Sequence, residues 1–162
     1  MVLSTLQTIA LIVGIAYYLF IMRNSQRSQQ IQIETRQAQL FMQFMNPAMS
    51  GDKADYWREI MEWEWSDYDE FTRIRSDPEN RKSYDQISYY LESIGSYVRL
   101  GFIPVRIVAV TMSLWVTGFW NKFGSMIVER RVRTNTPRLL SETEHLYNEL
   151  MKYMEEHPEL KT

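Results

Sequence analysis

The chain opens with an uncharged, mostly apolar stretch that ends abruptly at Arg23. The nineteen positions from Ser4 to Met22 contain no Asp, Glu, Lys or Arg. As an α-helix they would extend roughly 29 Å, close to the thickness of a bilayer's hydrocarbon core at about 30 Å. No basic residue precedes the stretch and no small-residue cleavage site closes it, as a secretory signal peptide would require. We therefore predict a single-pass protein with a transmembrane anchor over residues 1–24.

The distribution of charge around this stretch predicts how the chain would cross the membrane. Arg23, Arg27 and Arg36 follow the stretch, whereas no Lys or Arg precedes it. Because basic residues stay on the cytoplasmic side, we expect the N-terminus outside and the body in the cytoplasm. Ala10 and Gly14 form a small-x-x-x-small pair, which would let two anchors pack closely but also arises often by chance.

Residues 25–46 continue the helical pattern beyond the anchor. They contain no Gly or Pro and are rich in Gln, an acceptable helix former. The spacing predicts a helical stalk that enters the following domain. A weak parallel pairing of two stalks and a solvated single stalk both remain open, because the heptad seam is polar near the membrane.

Residues 47–157 show helical periodicity throughout, with no alternating pattern of a strand. After a loop at 46–51, we predict one all-α bundle domain, followed by a polar tail at 158–162. The expected helices cover residues 52–65, 67–74, 80–100, 104–133 and 141–156. The last is expected to begin with a capping box at Ser141-Glu142-Thr143-Glu144.

The uncharged run 107–121 needs separate consideration because it resembles a second transmembrane span. It would reach only about 22 Å as a helix, and Arg106 and Lys122 frame it closely. A run of this length is more typical of a buried core helix. We therefore predict a core helix here.

Composition and charge exclude several classes of function. The chain has no cysteine, which excludes disulfides, thiolate nucleophiles and cysteine-ligated metal sites. Its net charge of −2 gives no basis for nucleic-acid binding. Residues 52–92 hold twelve acidic and six basic residues, while Arg130-Arg131-Val132-Arg133 is basic. These two regions either pair with each other or form separate solvated faces.

Two groups of side chains are candidates for binding a partner. Tryptophans are enriched at interface hot spots, so Trp57, Trp63 and Trp65 are either core anchors or part of a partner groove. The basic residues Arg130, Arg131 and Arg133 would bind anionic lipid, pair with the acidic helices, or simply suit a helix C-terminus.

Evidence for catalysis or a cofactor is weak. Glu142-x-x-His145 has the spacing of a di-iron motif, but a second such pair is absent, so we expect no metal. The sequence has no glycine-rich phosphate loop and no G-x-S-x-G elbow, and we expect no cofactor. The absence of these motifs favours a protein that is not an enzyme. A pocket around Trp57, Tyr90, Trp115 and His145 is the alternative.

Several motifs together resemble a known group of proteins. The N-terminal span is followed by RQAQLFMQ at 36–43, WREIMEWEW at 57–65 and FWNKFG at 119–124. This order is similar to that of small single-pass prokaryotic proteins, often archaeal, that are classified as a domain of unknown function. The resemblance covers most of the chain and implies no activity, cofactor or partner. It favours 102–132 as a helix of the domain rather than a second span.

The sequence thus predicts a membrane-anchored helical protein-interaction module. It would serve as an accessory subunit of a membrane complex or as a self-associating scaffold, with the bilayer, a second copy or other membrane proteins as partners. A membrane-tethered ligand sensor or enzyme with a pocket between helices is the second hypothesis.

Overall fold

The computed structural model describes residues 2–49 and 51–160, with their side chains except at 2–6, 8–9 and 44–49. This part of the chain contains no strand, which confirms the all-α prediction. The helices are α1 (Val2–Met49), α2 (Gly51–Glu62), α3 (Tyr68–Ser76), α4 (Pro78–Arg99), α5 (Val105–Thr134) and α6 (Ser141–Glu156), with a 3₁₀ turn at Pro158–Leu160.

The chain divides into two compact units, Met1–Gln39 and Leu40–Thr162. The first unit is formed by the part of α1 up to Gln39. From Leu11 to Met22 its apolar side chains are exposed, among them Leu11, Val13, Tyr17 and Phe20, each at least 60% accessible. Among the described residues, no helix is apolar over a long enough stretch to serve as a transmembrane span.

The second unit, which we call the body, is built around α4, α5 and α6. The sequence spacing predicts a buried face of α4; its Tyr84, Ile87, Leu91 and Ile94 are buried, and its Val98 is half-buried. The uncharged run 107–121 lies within α5, which contributes core residues at intervals of three and four: Val108, Met112, Val116, Phe119 and Phe123. Leu146 and Leu150 of α6 complete the same core. The run thus forms a core helix of the body.

Local capping chemistry sets several helix ends of the body. Asp67 accepts a hydrogen bond from the Glu70 N–H at the start of α3. Asp77 caps α4 in the same way. Gly101 ends α4 with φ +73°, a conformation that favours glycine, and Phe102 packs on Tyr97.

The start of α6 corrects the sequence analysis. Leu140 is the N-cap, with φ +52°, and no side chain at that position caps the helix. The capping box predicted at residues 141–144 does not form. Glu92 of α4 replaces it by accepting hydrogen bonds from Thr143, at 2.7 Å from the N–H and 2.9 Å from the hydroxyl. The prediction was wrong because the capping carboxylate comes from a distant helix.

The chain on either side of α2 also differs from expectation. The predicted loop at 46–51 is shorter, since α1 continues through Pro47 to Met49 and α2 begins at Gly51. Proline removes one helical N–H bond without abolishing the others. The helix predicted to reach Trp65 ends at Glu62. Lys122 of α5 donates a 2.6 Å hydrogen bond to the Met61 carbonyl and satisfies one acceptor at this end.

Candidate protein-interaction surface

Trp63 and Trp65 lie in the non-helical connector between α2 and α3 and contribute to an aromatic core. Trp63 is 9% exposed and meets Phe123 edge-on, with ring centroids 6.2 Å apart. Trp65 stacks on Phe123 at 5.3 Å and contacts Phe71 at 5.1 Å. Such pairs stabilise a core beyond the area that they bury. The body therefore uses these two tryptophans for packing.

The arginines near the end of α5 have three different environments. Arg131 donates to the Leu139 carbonyl at 2.8 Å and to Glu144 at 2.5 Å, with 13% of its side chain exposed. It therefore ties α5 to α6. Arg130 is half-buried and has no carboxylate within ion-pair distance in the described part of the chain.

Arg133 joins the basic run to the acidic helices. It pairs with Asp69 at 3.0 Å and with Glu129 at 2.6 Å, and its guanidinium lies 4.4 Å from the centre of the Tyr68 ring. The hydrogen bond to Glu129 raises the pKa of Arg133 above its ordinary value. Of the two arrangements left open by the sequence, this contact favours intramolecular pairing.

Trp57 differs from the other two tryptophans because it is half-buried at the surface. It stacks on Trp115 of α5, with ring centroids 4.7 Å apart and planes inclined by 20°. A Cβ at Gly118 would lie 3.3 Å from Cζ2 of Trp57, so the missing side chain lets the indole approach α5 closely. Beside this pair, Val110 and Leu114 are 66% and 78% exposed. We call Trp57, Val110, Leu114 and Trp115 the tryptophan face.

A groove of about 320 Å³ runs along the tryptophan face. Its lining contains no charged side chain and consists of Trp57 and the six consecutive residues from Val110 to Trp115. Large apolar residues exposed next to one another on a folded domain mark a binding surface more often than isolated ones do. The arrangement can bury an apolar partner segment.

Two lysines lie on the two helices that line this groove. Lys53 of α2 places its Nζ 4.3 Å from the centre of the Tyr90 ring, and the Tyr90 hydroxyl lies 3.8 Å from Sδ of Met112, which lines the groove. Burial lowers the pKa of Lys53. Burial also lowers the pKa of Lys122, an effect that the nearby charge of Glu64 partly opposes. Both ammonium groups are thus partly desolvated.

The pocket predicted around Trp57, Tyr90, Trp115 and His145 forms only in part. The first three residues are linked through the stacked indoles and Met112. His145 lies on α6, and no hydrogen bond or ring contact joins it to them. No group of three or more His, Asp or Glu residues suited to a metal ion occurs among the described residues.

The exposed half of the tryptophan face, Val110 and Leu114, is not among the surfaces predicted from the sequence. Core residues of α5 recur at 108, 112, 116 and 119, so positions 110 and 114 point away from them. Because the run is uncharged all round, its outward side is apolar as well. An uncharged run with core residues on one side therefore indicates an exposed apolar face on the other.

In the first unit, Ala10 and Gly14 are exposed on α1, and a Cβ at Gly14 would meet nothing within 4 Å.

Comparison with known proteins gives one match. No curated protein and no solved structure matches the chain significantly. A family model described as a domain of unknown function, DUF4760, matches residues 4–150 and so includes every residue of the tryptophan face. The chain therefore belongs to the DUF4760 family.

Proposed function

We propose that this protein is a membrane-anchored helical interaction module whose body binds a partner protein through the tryptophan face. The observation that carries this proposal is the exposure of Val110 and Leu114 beside the Trp57–Trp115 stack. Leaving this surface in water costs free energy, roughly 25 cal/mol for each Å² of apolar area that a partner would cover. An accessory subunit of a membrane complex or a self-associating scaffold would use such a face.

The anchor belongs to the same proposal and rests on the uncharged run 4–22. Five of its nineteen side chains, at 4–6 and 8–9, lie outside those described. The apolar side chains from Leu11 to Met22 are exposed on α1, which suits a lipid environment. We place the N-terminus outside the cell membrane and the body in the cytoplasm, because Arg23, Arg27 and Arg36 follow the run.

The orientation can be tested because the chain has no cysteine. A single cysteine at Lys152, an exposed position on α6, should react with a membrane-impermeant maleimide only after cells are lysed. Reaction in intact cells would contradict a cytoplasmic body. Release of the protein by alkaline carbonate would contradict the anchor itself.

The interaction is tested by a pull-down of the tagged full-length protein from native membranes. Leu114→Asp should release the partner, because it places a carboxylate in the apolar middle of the contact. Ser125→Asp adds the same charge at another exposed position of α5 and should retain the partner. A wild-type protein that runs as a lone monomer, or equal recovery in both variants, would contradict the proposal.

The groove itself supports a second candidate, a membrane-tethered ligand sensor. A volume of about 320 Å³ with an uncharged lining is at the low end of small-molecule sites. Mass spectrometry of the purified protein under native conditions would then detect a bound small molecule in the wild type and lose it in Trp115→Ala. Protein without any such molecule would remove this candidate.

A further inference from the structure

The tryptophan face has a basic group near each end. On α2, Lys53, Trp57 and Met61 are spaced by four residues and lie in one row. The row is about 12 Å long at 1.5 Å per residue. Lys122 contacts the far end of this row, since its Nζ donates to the Met61 carbonyl.

The facing row on α5 also combines apolar residues with one lysine. Val110, Leu114, Gly118 and Lys122 recur every four residues. Gly118 is the point of closest approach, where Trp57 and Met61 would lie 3.3 and 3.7 Å from a Cβ. Lys122 follows Gly118 on the α5 row and is hydrogen-bonded to Met61 of the α2 row, so a positive charge lies at this end. At the other end the apolar surface is followed by Lys53.

Neither lysine forms an ion pair with a carboxylate in the described part of the chain. Lys53 faces the ring of Tyr90. Lys122 is held by a backbone carbonyl and lies 5.3 Å from the centre of the Trp65 ring. The charge of Glu64 acts on Lys122 from beyond ion-pair distance. Two partly buried cations without a carboxylate partner are electrostatically complementary to acidic groups on a binding partner.

We infer that the tryptophan face binds an amphipathic helix of another protein, whose apolar side carries one carboxylate for Lys53 and one for Lys122. This inference rests on the proposed function and names the partner's chemistry. The exposed ridge of Val110 and Leu114, one turn apart, fits between the side chains of a second helix. The length of the α2 row requires carboxylates about eight residues apart in that helix.

A second copy of the chain does not supply such a helix from its acidic region. The acidic residues between 52 and 92 lie on or between α2, α3 and α4. The apolar faces of these helices, with Ile60, Phe71 and Leu91, are already buried in the body's own core. The face of α6 with Leu146 and Leu150 is buried as well, and α1 carries one acidic residue, Glu34, so we assign the partner helix to a different protein.

The experiment places a photo-crosslinking amino acid, p-benzoylphenylalanine, at Leu114 of the full chain in the cells that naturally produce it. The same amino acid at Ser125 is the matched control on α5. After irradiation, the crosslinked peptide is sequenced by mass spectrometry. We expect a helical segment of another protein with apolar residues at spacings of three and four and two acidic residues about eight positions apart.

Charge variants at Lys53 then test whether it binds a carboxylate of the partner. Lys53→Glu should lower the crosslink yield at Leu114 about tenfold, which corresponds to about 1.4 kcal/mol, whereas Lys53→Arg should retain it. Unchanged thermal unfolding of both variants establishes that the fold is intact. A crosslink to lipid, to a second copy or to a segment without carboxylates would overturn the inference.

The two proposals fail in different ways. A crosslink to another protein that is insensitive to Lys53→Glu overturns the acidic helix and leaves the interaction module standing. The absence of any protein crosslink at Leu114 overturns both.

Discussion

Two contacts between helices in the body each contain a glycine, yet they differ in what meets it. At Gly95, where α4 crosses α6, a methyl group would overlap the backbone carbonyl of Glu142. At Gly118, where α2 meets α5, a methyl group would meet only the indole edge of Trp57 and the end of Met61. The first contact is therefore fixed by backbone, and the second by movable side chains.

The two contacts also differ in how their charged side chains are paired. Across the first, Glu92 caps α6 through Thr143, and Arg99 pairs with Glu142. Across the second, Lys122 is bound by a neutral carbonyl, and Lys53 by an aromatic ring. In the α4–α6 contact the carboxylates are thus hydrogen-bonded or paired within the body. In the α2–α5 contact, apolar area is exposed and the two lysines have no carboxylate partner among the described residues.

The largest effect on stability is expected at Gly95. Gly95→Ala should lower the free energy of unfolding by about 3 kcal/mol, at the upper end of the usual cost of overpacking, because α4 and α6 must separate. Urea denaturation of the full chain in detergent would measure it. A loss below about 1 kcal/mol would show that the α4–α6 contact is as adaptable as the α2–α5 contact.

The cap that α4 provides for α6 is the next largest effect. Glu92→Ala leaves the Thr143 N–H without its carboxylate and should cost about 1–2 kcal/mol in the same measurement. Glu92→Gln retains an acceptor oxygen and should cost less. Equal losses in the two variants would assign the effect to packing rather than to the hydrogen bonds.

The pH dependence of stability tests the burial of Tyr90, whose ring contacts Lys53. Burial raises the pKa of Tyr90 to about 12, from 10.0 for an unperturbed tyrosine. Between these values the unfolded chain loses a proton that the folded chain retains, so the free energy of unfolding falls as the pH rises. Tyr90→Phe should make this decline shallower. Tyr89→Phe, at a 63% exposed position, should leave it unchanged; equal slopes in the two variants would contradict the burial of the Tyr90 hydroxyl.

The smallest change in stability is expected at Gly118. Gly118→Ala should alter the free energy of unfolding by less than about 1 kcal/mol, because the gain in helix propensity offsets the displacement of Trp57. Tryptophan fluorescence should nevertheless change as the indole moves from Trp115. A loss as large as that of Gly95→Ala would mean that the second contact is equally rigid.

The sequence predicts the parts of this fold that depend on neighbouring residues. Asp67, Asp77 and Gly101 set helix ends through contacts within a few positions of the chain. Glu92 does not follow from local pattern, because it caps a residue 51 positions away. In the sequence, Arg131 is likewise one member of a basic run. Its partners, the Leu139 carbonyl and Glu144, lie eight and thirteen positions further along the chain.

The candidate site shows the same limit. The sequence does not show which of the three tryptophans at 57, 63 and 65 is at the surface. The end of α2 at Glu62 distinguishes them, because it leaves only Trp57 on that helix. Trp57 remains on the helix and faces Trp115, while Trp63 and Trp65 enter the core from the non-helical connector. One carbonyl at this helix end is bound by Lys122, which is 61 positions away in the chain.

The most direct test of the account is the accessibility of the tryptophan face inside the cell. Because the chain has no cysteine, Leu114→Cys and Ser125→Cys each create a unique site for a membrane-permeant maleimide. In the purified protein both should react. In intact cells Ser125→Cys should still react, and Leu114→Cys should be protected by the bound partner. Equal labelling of the two cysteines in cells would contradict a partner-binding role for the tryptophan face.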